Sequence, residues 1–547
     1  MPCSRSVCFS SLVRNRVVIL SCFVGVILAY SGAAGSAVAG GWDVCVNGCR
    51  YDQVGPALEA AREGDTIRIG PGVYEGGLTI TTSVTLVGSG KDATVIRGGG
   101  PVIAIGTFNA ATEPSVSIRG VTLTGGVSRT SPESVAFFGQ DGVIASGGGV
   151  LVPPGLDDGP GATVSITNSA ITGNRVAPIV TFGEACPTGT CPFAGARGGG
   201  IASWGNLTLV NTSVSHNLVG TASGLSTVAT VVQGGAIHHG TGDLTIRNSS
   251  FEGNEISASA PSGVFAAGGA ITAEGHTVTM SHDVFRRNSA TLNAGMPDSV
   301  ETQAHSGAVH LTEQLSAATI RDTGFYDNSA KMTNTAGSAY ANSGAVHLDL
   351  LVTLTLSGST FSHNSVVSTT RPGSPGNAVG DSGAGEVSGT ITGTRFTGNT
   401  VTVRSAAGDA RGAAGAAIFS GTMTRSLIKD NRVRASSPHG RVAVAGAGLQ
   451  AGDFALTLKT TQVTGNMGVA AGRTGTADGG GISDTPVPDG PPGGPLQLTG
   501  GSITHNTLSG GPGITLTGGG VFSTYPVELT KTLIAGNSPD QCAGFVC

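Results

Sequence analysis

The most regular feature of the chain is an apolar residue followed three positions later by asparagine. The pair occurs at Ile171/Asn174, Val214/Asn217, Phe251/Asn254, Phe285/Asn288, Phe325/Asn328, Phe361/Asn364, Phe396/Asn399, Ile428/Asn431, Val463/Asn466, Ile503/Asn506 and Ile534/Asn537. The mean spacing is about 36 residues, a period that marks a solenoid, propeller or array. Before each pair lies a cluster of small residues ending in an aliphatic, from GGGV at Val150 to GGGV at Val521. Between the two motifs polar and apolar residues alternate, as at 244–248 (LTIRN), 277–280 (TVTM), 354–358 (LTLSG) and 456–459 (LTLK). Period-2 alternation rich in Thr, Val, Leu and Ile predicts strands with one buried face. No 3.6-residue pattern of useful length follows residue 64. Each unit is therefore expected to give about three short strands and turns. One unit cannot bury its apolar face alone, so stacked coils must build a common core. The predicted fold is all-β, a parallel solenoid with coils about 4.8 Å apart.

The motif residues have readable roles in such a coil. Phe251, Phe285, Phe325, Phe361 and Phe396 are expected to point inward and stack coil on coil. Asn254, Asn288, Asn328, Asn364 and Asn399 are expected where a strand turns, because Asn tolerates left-handed backbone and its amide both donates and accepts. Stacked amides then form a ladder along the axis. From each Asn to the next small cluster, stretches such as 290–306, 365–382 and 400–412 are read as loops on one face. That face is a candidate binding face.

The ends divide the chain further. Arg5, Arg14 and Arg16 precede an uncharged run at 17–30, and Ala37-Val38-Ala39 follows. This is the layout of a secretory signal peptide, assigned to 1–39. Residues 54–62 (VGPALEAAR) place Val54, Leu58 and Ala61 on one helical face, so 40–64 is read as an N-terminal cap with a short helix. Residues 65–537 carry the coils and 538–547 a disulfide-closed end. Six cysteines remain after the signal, as the local pairs Cys45–Cys49, Cys186–Cys191 and Cys542–Cys547. An even count in tight pairs points to disulfides and an oxidising compartment, hence a secreted or cell-surface protein.

Composition narrows the function classes. Gly numbers 90 of 547 residues without a three-residue period, which excludes collagen. Apolar residues at 39% and a net charge of −5 argue against disorder. The acidic balance excludes nucleic-acid binding by a basic face. No segment after the signal reads as transmembrane, and a monomer is expected.

The paired motifs GGA[IV] and FxxN resemble the repeats of the chlamydial polymorphic outer-membrane proteins. The stretch 57–90 (ALEAAREGDTIRIGPGVYEGGLTITTSVTLVGSG) resembles the opening of secreted pectin-lyase-like proteins. The resemblance implies a right-handed parallel β-helix. It also implies either adhesion or action on polysaccharide, and a polysaccharide or cell-surface glycan as partner. No room for a membrane barrel is seen before Cys547, which sets the chain apart from the polymorphic proteins.

The resemblance to pectin-lyase-like proteins implies lyase or hydrolase chemistry, and its motifs are mostly absent. The R-x-P-x-x-R pattern of calcium-dependent lyases is missing, and calcium, the cofactor that resemblance implies, has no motif. Asp157-Asp158 and His239-Gly240 occur in the order of a galacturonase-like hydrolase, but without its other partners. The best candidate constellation is His310, His347 and Asp349. The two histidines follow the small-cluster aliphatic in consecutive units, and Asp349 shares a strand face with His347. Two imidazoles and a carboxylate suit metal binding or acid–base work; the competing reading is a solvated polar ladder beside His238. With only Trp42 and Trp204 as sugar platforms, the sequence favours a non-enzymatic rod that presents loops for adhesion or glycan binding. A lyase or hydrolase and a purely structural surface protein are the alternatives.

Overall fold

The computed structural model describes residues 43–129, 142–178, 193–220, 230–260, 264–295, 302–349, 352–485 and 494–547. The segment read as a signal, and Cys186 and Cys191, lie outside the described residues.

From Gly41 onward the chain forms one compact unit, an all-β parallel solenoid. A representative coil has five short strands: Ile271–Ala273, Thr277–Ser281, Val284–Arg286, Ser289–Ala294 and Gln303–His305. Each pairs in parallel with its counterpart in the next coil, for example Thr277↔Ala317, Phe285↔Phe325 and Ala290↔Ala330. The first three strands of every coil run together in one 37-stranded sheet. The fourth and fifth build two further sheets of 11 strands each.

The stretches read as loops therefore carry the fourth and fifth strands. Ser365–Thr370 with Ala378–Asp381, and Thr400–Arg404 with Ala410–Ala413, are paired β-structure. Their inward side chains are small, such as Ala290, Ala304, Ala330, Ala341 and Val366, and form a second core cluster. Alternation of Ala or Val with Ser or Thr has little hydrophobic contrast, so the period-2 signal is faint there.

The first cluster holds the large side chains. Phe251, Phe285, Phe325, Phe361 and Phe396 stack face to face, with ring centroids 4.6–5.0 Å apart. Beside them the asparagines form a buried ladder. In each step Nδ2 donates to the next Oδ1, from Asn174 to Asn217 (3.1 Å) through to Asn506 and Asn537 (2.9 Å). The left-handed residue is not the Asn but the one before it: His216, Arg287, Asp327, His363, Asp430 and His505 all have φ between 53° and 57°. The amide is turned inward to pair, and the preceding residue makes the bend.

Among the described residues there is one α-helix, Val54–Ala60, near the N-terminus. It buries Val54 and Ala57, while Leu58 and Ala61 are only partly buried against the core. Cys45–Cys49 and Cys542–Cys547 are disulfide-bonded. Among the described residues, no helix is long and apolar enough to cross a membrane.

Candidate functional site

The fifth strand of one coil meets the first strand of the next at a sharp inside corner. One left-handed residue makes the bend: Gly234, Gly268, Ser306, Ser343, Ser382 and Ala414 in successive coils, with φ between 50° and 73°. The residue that follows is glycine in each of these coils, as at Gly307 and Gly344, where a Cβ would lie 2.2 and 2.0 Å from a carbonyl oxygen of the next coil. Two columns of outward-facing side chains thereby converge. The fifth strands contribute His305, Asn342 and Asp381 in register. The first strands contribute His310, His347 and Glu386 in register.

Asp349, two residues beyond His347, reaches into this corner. Its Oδ1 accepts from His310 Nε2 and His347 Nε2, both at 3.1 Å. His347 Nδ1 lies 3.2 Å from Ser343 Oγ and 3.6 Å from Glu386 Oε2. His305, absent from the sequence-derived set, completes the cluster. Its ring centroid is 5.9 Å from that of His310 and 4.9 Å from that of His347. The three histidines are 9%, 2% and 7% exposed in chain order, so they do not form a solvated ladder. Asp349 and Glu386 keep about a third of their side-chain surface accessible and form the cluster's contact with solvent.

Environment sets the charges. Burial lowers His310 despite the Asp349 hydrogen bond, and burial with two neighbouring imidazoles pushes His305 well below its ordinary value. His347 is raised: burial opposes its charge, but the Asp349 hydrogen bond and the Glu386 and Asp349 charges outweigh it. Burial works to raise Asp349, but the His310 and His347 hydrogen bonds hold it well below the usual carboxylate range. Burial pushes Asp381 up to about 6, with Glu386 adding to the rise and Arg411 opposing it.

The fifth strands carry a recess of their own near this corner. Arg411 stands two positions along from Asp381 in the next coil's register, opposite Val379. A recess of about 330 Å³ there is lined by Asn377, Val379, Asp409, Arg411, Arg441 and Thr476. On the other side lie Phe265, 6.0 Å from the His310 ring, and Tyr340, 40% exposed in the same outward column. Arg411 and Arg441 belong to fifth strands and line this recess, whereas Arg395 lies on a third strand and Arg404, Arg432 and Arg434 on fourth strands, on other faces of the coil.

The remaining sequence candidates lie elsewhere. His239 Nε2 contacts the Gly242 carbonyl in its own turn at 3.1 Å. Asp157 occupies a short 3-10 turn, Leu156–Asp158, two coils away from His239 in the first-strand register. His238 is fully buried, packed edge-on against Trp204.

No protein-family model and no curated protein matches the sequence. Among solved structures, the chain is similar to the A-module of the mannuronan C-5 epimerase AlgE6 of Azotobacter vinelandii, with 16% identity, 86% of this chain and 93% of that one covered, and a TM-score of 0.26.

Proposed function

We propose that the protein is an exported solenoid that binds an extended acidic polysaccharide along the inside-corner groove and performs proton transfer on it. One observation carries this reading: ionisable groups from three successive coils meet at one depth, where Asp349 ties two buried imidazoles together beside Glu386, Asp381 and Arg411. Perturbed ionisable groups of both signs in a concave site are the signature of acid–base chemistry. Glu386 and Asp381 are the candidate proton-transfer groups. Asp349 and the imidazoles behind it position them, and Arg411 and Arg441 are the candidate partners for sugar carboxylate or sulfate groups. Tyr340 offers a sugar-stacking surface. The groove lies within one chain, which supports action as a monomer. Export is part of this reading, supported by the basic start, short apolar run and A-x-A site, and by the two disulfides.

One observation favours a second reading, a rod that holds glycan without altering it. The His310 and His347 side chains are 3% and 9% exposed, so a bound sugar meets the carboxylates and not the rings. The test is incubation of the purified protein with acidic and neutral polysaccharides. Binding, reducing ends and unsaturated uronate products are measured for wild type, Glu386→Gln and Asp381→Asn. Turnover of an acidic chain that falls in both variants supports the proposal. Binding without turnover favours the second reading. Neither binding nor turnover overturns both.

A further inference from the structure

We infer that His305, His310 and His347, with Asp349, form a binding site for one divalent transition-metal ion of the zinc, copper or nickel class. The fold brings these residues together from three places. His305 ends a fifth strand, the left-handed Ser306 (φ 55°) turns the chain, and His310 faces it across the corner. His347 takes the position of His310 one coil on. One donor atom from each imidazole lies within 4.8 Å of the others.

Two further observations point to an ion. First, His305 Nδ1 is buried and has no hydrogen-bond partner, while its Nε2 is engaged by Gln303. A buried polar atom without a partner is costly, and a bound ion is one of the few ways to satisfy it. Second, the 3.1 Å spacings from Asp349 Oδ1 to His310 Nε2 and His347 Nε2 are close to the ligand–ligand edge of a tetrahedral zinc site, about 3.3 Å for bonds of about 2.0–2.1 Å. Donor type selects the ion. Three imidazoles and one carboxylate suit zinc, copper or nickel, whereas calcium takes six to eight oxygens.

Outer-shell contacts are also in place. His305 Nε2 meets Gln303 Oε1, and His347 Nδ1 meets Ser343 Oγ at 3.2 Å. Such contacts fix ring orientation at metal sites. The site does not depend on the polysaccharide reading, because metal uptake is measured without any glycan.

The test uses the full protein, stripped with a chelator and dialysed. Titration with Zn²⁺ followed by calorimetry is expected to give one equivalent bound. Co²⁺ is expected to produce the strong visible absorption of a tetrahedral nitrogen–oxygen site, a readout that needs no variant. His310→Asn and Asp349→Asn should weaken Zn²⁺ binding roughly 100-fold or more, and Glu386→Gln, beyond the first ligands, by roughly 10-fold. His363→Ala, on the exposed surface, should leave it unchanged. Absence of stoichiometric Zn²⁺, Cu²⁺ and Ni²⁺ binding by the wild type overturns the inference. So does uptake undiminished in folded His310→Asn and Asp349→Asn.

Discussion

Replacing Asn328 by Ala removes one rung of the buried amide ladder. Asn328 is fully buried. Its Oδ1 accepts from the Asn288 backbone N–H at 3.0 Å and from Asn288 Nδ2 at 2.9 Å. Its Nδ2 donates to the Phe285 carbonyl at 3.0 Å and to Asn364 Oδ1 at 2.9 Å. Truncation leaves Asn288 Nδ2 with its bond to the Phe251 carbonyl and Asn364 Oδ1 with its bond from the Asn328 N–H. The Asn288 N–H and the Phe285 carbonyl lose the side-chain partner named here. At about 1–3 kcal/mol for each buried group left unsatisfied, the expected loss is about 4 kcal/mol, in the range reserved for specific structural damage. Urea unfolding followed by far-UV circular dichroism reads the loss. Hydrogen exchange at the Asn288 amide reads its location, since coils contact only their neighbours. Ser329→Ala, the adjacent residue, should shift stability by less than about 0.5 kcal/mol. A loss below about 1 kcal/mol for Asn328→Ala, with exchange at residue 288 unchanged, would refute the ladder as a stabilising element.

Other outcomes follow from the same geometry. Phe325→Ala, in the middle of the ring stack, should cost about 3–5 kcal/mol, measured as a fall in the urea midpoint. Asp283 stands in a column that elsewhere holds Ser249, Thr323 and Ser359, and burial pushes it up to about 7 although the Ser249 and Ser281 N–H groups donate to it. A carboxyl raised in the folded state contributes stability below its unfolded pKa of about 3.9 that is lost as pH rises through about 7. Asp283→Ser should therefore flatten thermal stability between pH 4 and 7 and exceed wild type at pH 8; equal pH profiles for the two proteins would contradict this. Arg411→Gln and Arg441→Gln should each weaken binding of an acidic polysaccharide and reduce its salt dependence, without affecting a neutral one, in affinity electrophoresis across a salt series.

The parts of this fold that were legible in the sequence are those with strong chemical contrast. A buried Phe three residues before a buried Asn repeats because both groups must meet their copies in the next coil. The small clusters repeat because the residue just after the left-handed bend has no room for a Cβ, as at Gly307, where it would lie 2.2 Å from the Gly344 carbonyl oxygen of the next coil. The fourth and fifth strands were hidden because their cores are Ala and Val opposite Ser and Thr. That concealment extended to the site. His310 and His347 were visible because they lie on recognisable strands, with Asp349 just past the end of the second, and the structure joins them through one carboxylate oxygen. His305, Asp381 and Arg411 lie on strands read as loops, so their place was not foreseen. The available signal was the triplet AHSGAVH, ANSGAVH and GDSGAGE in consecutive units, with polar residues five apart across a small turn. Spacing of five has no meaning on one strand or helix. It acquires meaning only once a corner folds the two ends together.

On this reading the protein meets its ligand at the inside corner. Hydrogen–deuterium exchange of the full protein, with and without a saturating acidic oligosaccharide, tests it most directly. Protection is expected at residues 303–311, 339–349, 378–387 and 410–413, the strands on either side of the inside corner, with little change along the second strands at 277–281 and 317–321. Protection confined to those second strands, or spread evenly over all coils, would contradict it.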